Sequence, residues 1–250
     1  MNKFMEKWGL TFKVLVIVFF LLIIKILIGT FNLDVATASP LITALVGGVI
    51  FTIAIIFTGT LTDYKESEKI PGELAASLKA LYKDSTILRV DEKIVEEMRL
   101  HVKDFLKIII SNFKQNTWKL DEIETSMEKI NEDIIKLSEK GAAPQFLVKL
   151  RTELINIDKL SNRIHTITGT TFIPAAYGIA ELAVAAVLLV LMFVRTDPYY
   201  EGLALIGATS SLLIGLILLI RDMDDPFEVG NNSYADVDLE ILFGLEKYLE

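Results

Sequence analysis

The sequence predicts an all-α membrane protein, with four transmembrane helices in two hairpins and a long helical insert between them. Three observations lead there. Hydrophobic residues make up 52% of the 250, and the mean hydropathy of +0.47 is well above that of an ordinary soluble domain. The excess is concentrated in four blocks near the two ends of the chain. Between them, residues 63 to 168 hold most of the charge and repeat their apolar positions in steps of three and four, the spacing of one helix face.

The first block, about 12–29 (FKVLVIVFFLLIIKILIG), is close to the ~20 apolar residues that span a bilayer core. Lys3 and Lys7 precede it and Ala36-Thr37-Ala38 imitates a cleavage site, the arrangement of a signal peptide. That site lies too far beyond the apolar run, so the block reads as a retained helix. The second block covers about 40–61, with Pro40 suited to a first helical turn. The third covers about 172–194 and the fourth about 203–220, with Pro198 as the breaker between them and Tyr199 and Tyr200 fitting an interfacial aromatic belt. The chain thus divides into an N-terminal hairpin (1–62), a central helical region (63–170), a C-terminal hairpin (171–221) and a C-terminal segment (222–250).

Lys and Arg set the orientation. The 30–39 loop has neither and the 195–202 loop has only Arg195, whereas Lys3, Lys7, Lys13 and the central region are basic. By the positive-inside rule both termini and the central region are cytoplasmic, in a multi-pass cell-membrane protein.

Four apolar stripes define the central helices: Ile70, Leu74, Leu78, Leu81; Ile94, Met98, Val102, Phe105, Ile109; Ile123, Met127, Ile130, Ile134, Leu137; and Leu147, Leu150, Leu154, Ile157, Ile164. Pro71-Gly72, Asn116-Thr117 and Gly141 to Pro144 mark the breaks. Each stripe must be buried, against the others or against a neighbouring subunit.

Several chemistries are excluded. With no cysteine there is no disulfide, thiolate site or cysteine nucleophile, and with two histidines a His-rich metal site is not available. The net charge of −8 argues against nucleic acid as a partner. No P-loop, His-Glu-x-x-His, Gly-x-Ser-x-Gly or EF-hand pattern occurs, so the chain does not read as an enzyme. His101, among alternating charges, reads as a surface residue, and His165 takes no role. Asn231-Asn232-Ser233 matches a glycosylation acceptor but falls on the cytoplasmic side.

The second membrane helix carries the most unusual pattern. Thr43, Gly47, Ile50, Ala54, Thr58 and Leu61 share a narrow arc, with Phe51 and Thr62 at its border. Such a stripe serves close helix packing. It also suits a pore wall whose apolar constriction, at Ile50 or Phe51, gates by dewetting. Two charges lie inside membrane blocks. Glu181, in the third, is costly in lipid and points to a functional or pairing role; Lys25, in the first, lies near a helix end and can snorkel. Asp222, Asp224, Asp225 and Glu228 crowd the turn RDMDDPFE, a candidate site for a hard cation such as calcium, beside the reading of a solvated acidic turn.

In order along the chain, these features resemble the bestrophin-like domain family, distant relatives of bestrophin channels. Tyr64, Glu73, Leu78, Leu81 and Tyr82 follow its pattern after the second helix, and Arg163 stands in its Arg-bearing helix before the third. Met223, Asp224, Pro226, Phe227 and Gly230 represent its Leu-Asp-x-Pro-Phe-x-Gly signature, with Met223 in place of leucine. The resemblance implies a homo-oligomer, a pentamer, passing small inorganic monovalent ions through an axial pore with an apolar neck. Its lining would be Thr43, Gly47, Ile50, Phe51, Ala54 and Thr58. It also implies that the acidic turn corresponds to the region that contributes to a calcium clasp in animal members. Selectivity stays open between anions and cations, although chains at −8 each favour cations in a vestibule. Two other readings stand beside the channel: a non-conducting scaffold or sensor binding a protein through its cytoplasmic helices, and a transporter using Glu181. The latter would call for discontinuous helices, which the sequence does not show.

Overall fold

The computed structural model of the chain describes residues 3–88, 90–169, 174–229 and 233–249. The chain forms two compact units, one of Met1–Tyr64, Thr171–Asp224 and Asn231–Ala235, the other of Lys65–Thr170, Asp225–Gly230 and Asp236–Glu250.

The first unit contains the long apolar helices α1 (Lys3–Thr30), α7 (Pro174–Phe193) and α8 (Tyr199–Met223), and most of α2 (Pro40–Ser67). Four helical stretches, one through each of these, are long and apolar enough to cross a membrane. Only 17% to 28% of each apolar window is buried within the chain, so most of this surface needs lipid or another protein chain to cover it. The start predicted at Phe172 lies outside the described residues. The helix predicted over 40–61 continues to Ser67, because the polar residues after Leu61 include neither Pro nor Gly. The break expected at Pro71-Gly72 falls just before it, and Pro71 occupies the first turn of a new helix, where its missing N–H costs nothing.

The packing order differs from simple hairpins. α1 lies mainly along α8 and also against α7. Gly207 on α8 permits this approach, since a Cβ there would be 3.3 Å from Leu22. Ser211 one turn on turns its hydroxyl back to the Gly207 carbonyl, and Gly215 follows one turn later, facing Val14. Such small residues let helices associate closely in lipid. α2 contributes Val49, Ile53 and Ile56 to a core with Ala180, Val184, Val187, Ile206 and Leu213. Two residues of β1 (Ala36–Thr37) pair in parallel with two of β2 (Val194–Arg195).

The second unit is a helical bundle of α3 (Ile70–Ser85), α4 (Glu92–Lys114), α5 (Leu120–Glu139), α6 (Pro144–Gly169) and α9 (Glu240–Leu249). Apart from the half-buried Leu147, every residue of the four predicted stripes is buried. The Asp91 carboxylate starts α4 by accepting from the Lys93 and Ile94 amides. Asn116 (φ 50°) and Gly141 (φ 82°) make the predicted turns in the left-handed region.

One expectation changes here, that for His101. The C-terminal segment adds α9, which buries Leu242, Leu245 and Leu249 against α3 and α4. The Lys79 and Lys83 ammoniums lie 4.9 and 5.5 Å from the Tyr248 ring centre. His101 is not a free surface residue. Its Nδ1 lies 2.5 Å from Asp133, a carboxylate with 0% exposure that also accepts from Lys136 at 2.9 Å. A buried carboxylate demands such partners, and the periodicity of α4 alone did not show where one would come from.

Candidate functional site

The face of α2 that joins the core carries Val49, Ile53, Ile56 and Thr60, all buried. The small-residue stripe lies roughly a third of a turn around the helix. Thr43, Gly47, Phe51, Ala54, Thr58 and Thr62 are exposed there, and Ile50 and Leu61 are half-buried. A Cβ on Gly47 would meet nothing within 4 Å, so the stripe does not serve packing inside this chain; that task falls to Gly207 on α8. The hydroxyls of Thr58 and Thr62 donate to the carbonyls four residues back, at 2.8 and 2.9 Å, which leaves a weakly polar surface without orphan donors.

The two intramembrane charges are both engaged. Lys25 is not snorkelling: it is 1% exposed, and its ammonium donates to the carbonyls of Met192 at 3.1 Å and Val194 at 2.6 Å. The Met192 carbonyl lies in the last turn of α7, where the helix has no partners of its own and its dipole is negative, and Val194 opens β2 just beyond it. Glu181 pairs with Arg221, Oε1 to Nε 3.1 Å. Glu181 lies seven residues into α7 and Arg221 in the last turn of α8, so the arginine reaches back along its helix to meet it.

In the acidic turn, Asp222 accepts from the Tyr234 amide at 2.8 Å, and Asp224 accepts from the Tyr177 hydroxyl at 2.9 Å. The Asp225 carbonyl accepts from the Glu228 amide at 3.4 Å. Phe227 is buried with its ring centre 5.7 Å from that of Phe113. The Asn116 side chain binds both the N–H and the carbonyl of Val229, at 2.7 and 3.0 Å. Among the described residues no three carboxylates or histidines gather where they could hold a metal ion. Gly230 and Asn231 lie outside the described residues.

Sequence reasoning missed Thr60 and Tyr177. Thr60 is 2% exposed, and its Oγ1 lies 3.3 Å from the Tyr177 hydroxyl, so one phenol meets residues of α2 and α8. The available signal was a phenol inside an apolar block, which needs a hydrogen-bond partner when buried.

Neither a protein-family model nor a curated protein matches the chain. Solved structures do. The bacterial bestrophin homologue of Klebsiella pneumoniae is 13% identical with a TM-score of 0.76, covering 95% of this chain and 96% of that one. A variant of it aligns with a TM-score of 0.75 at 13% identity over 96% and 97% of the two chains. A structure described as a membrane protein gives 0.76 at 14% identity over 96% of both. At this identity the likeness shows the fold: the chain has an all-α, bestrophin-like fold along nearly its whole length.

Proposed function

We propose that copies of this chain assemble around an axis, as a pentamer, and pass small monovalent ions through a pore lined by α2. One observation carries the reading. The face of α2 turned away from the chain's own core is mostly small, hydroxyl-bearing and exposed from Thr43 to Thr62, while the half-buried Ile50 and the exposed Phe51 supply bulk for an apolar neck. The bestrophin-like fold supports it, because the family resemblance assigns the pore to this same helix. Both termini and the helical bundle lie on the cytoplasmic side in this reading, as the basic residues require.

The test is single-channel recording from purified protein in planar bilayers under asymmetric KCl, comparing wild type with Ile50→Ala and Phe51→Ala. Discrete currents whose amplitude or gating changes in the variants support the pore, and the reversal potential separates anion from cation selectivity. Silence from correctly assembled wild-type protein overturns it. The scaffold reading draws on one observation, the exposed apolar residues Leu100, Ile135, Val148 and Ile155 on the helical bundle, which another protein would cover. Silent bilayers would move that reading to first place.

A further inference from the structure

We infer that Tyr177 is a positioning residue that sets the rotation of α2, and with it the direction in which the small-residue stripe faces. The inference rests on the proposed pore for its consequence, but its geometry stands on the first unit alone. The Tyr177 hydroxyl has one proton and gives it to Asp224 Oδ1 at 2.9 Å. With that proton committed, the bond to α2 is donated by Thr60 Oγ1 to the Tyr177 oxygen at 3.3 Å, the Ile56 carbonyl at 3.2 Å being the alternative acceptor for the same Thr60 proton. One phenol therefore links α2, α7 and the C-cap residue of α8.

The core that surrounds this link is apolar: Val49, Ile53 and Ile56 against Ala180, Val184 and Val187, with Phe57 packed beside them. Apolar contact is non-directional, so such surfaces allow a helix to turn or slide by part of a residue. A hydrogen bond weakens steeply with misalignment, and Thr60 is a buried polar residue on this face of α2, seven residues before the buried Ser67. Holding Thr60 fixes the azimuth of every other α2 side chain, because each residue is offset by a constant angle along the helix. Thr58 and Leu61, the nearest stripe residues, are the first to follow. The link to a carboxylate strengthens the anchor, since charge-assisted hydrogen bonds are roughly twice as strong as neutral ones.

The absence of cysteine makes a direct test available. A single Thr58→Cys carrying an environment-sensitive fluorophore, in full-length protein in nanodiscs, reads the surroundings of the stripe whether or not ions flow. Tyr177→Phe keeps the ring and removes the hydroxyl, Thr60→Val keeps the shape of its side chain, and Asp224→Asn removes the charge. Variants that elute as wild type are expected to shift the emission maximum. Tyr177→Phe is also expected to lower open probability roughly tenfold, with unitary conductance retained. Combining it with Asp224→Asn should give less than the sum of the two shifts, since both act on one hydrogen bond. An unshifted emission maximum in both Tyr177→Phe and Thr60→Val overturns the inference, as does full additivity of Tyr177→Phe and Asp224→Asn. Shifted emission in a protein that never conducts supports the positioning role and removes the pore reading instead.

Discussion

Replacing Lys25 with methionine isolates the contribution of its ammonium, because the unbranched stem is kept. Lys25 is 1% exposed and donates to two main-chain carbonyls at the end of α7, at 3.1 and 2.6 Å. Hydrogen bonds to charged groups contribute about 1.5–3 kcal/mol each, and a buried carbonyl left without a partner costs about 1–3 kcal/mol. Methionine also removes the cost of keeping an ammonium out of water, which offsets part of the loss. The net expectation is a destabilisation of about 2–4 kcal/mol, or an apparent Tm lowered by roughly 5–15 °C for a chain of this size. Thermal unfolding in detergent, followed by loss of the monodisperse peak on size exclusion, measures it. Lys13→Met serves as the control, since Lys13 is exposed on the same helix. If Lys25→Met melts with wild type, or if Lys13→Met falls as far, the ammonium does not hold the end of α7 and the capping argument fails.

The helical bundle yields further expectations. His101→Ala takes one of two side-chain partners from the fully buried Asp133 and leaves it Lys136, and should cost about 1–3 kcal/mol, read as faster amide exchange in α4 and α5 than in α3. Ending the chain before Glu240 removes Leu242, Leu245 and Leu249 from their buried sites, each worth about 1.5–3 kcal/mol at full burial; exchange should rise in α3 and α4 and stay unchanged in α5. The Asp84 carboxylate, 2.8 Å from Lys149, raises that lysine above its ordinary 10.5 by hydrogen bonding and charge. A raised lysine contributes fully below its unfolded value and loses that contribution as pH rises through the folded one. The Lys149→Met effect on Tm should therefore be constant between neutral pH and about 10 and vanish at higher pH, and a difference that grows with pH would refute this pairing.

The sequence was most legible where one physical rule acts on many residues at once. Length and apolarity marked the four membrane helices, and the spacing of stripes such as Met98, Val102, Phe105 and Ile109 marked the core of the bundle, because a helix that must bury one face repeats its apolar residues along it. The break residues Asn116, Gly141 and Pro144 were legible for the same local reason, the backbone geometry that each residue type favours. α9 was only partly so: Leu242, Leu245 and Leu249 have helical spacing, but over ten residues such a pattern is short.

Partnership across the fold was not legible, because it depends on which faces meet and not on the order of residues. Lys25 follows the same lipid-facing pattern as its neighbours in sequence, and only the meeting of α1 with the end of α7 makes it a cap. Asp133 finds His101 from a different helix, and Glu181 finds Arg221 forty residues away. The stripe on α2 shows the division most plainly. Its composition is written in the chain from Thr43 to Thr62, but close packing and a water-facing wall call for the same small residues. Tertiary structure decided that, within one chain, Val49, Ile53, Ile56 and Thr60 take the core and the stripe is left uncovered, since a helix can bury only the face that its neighbours reach.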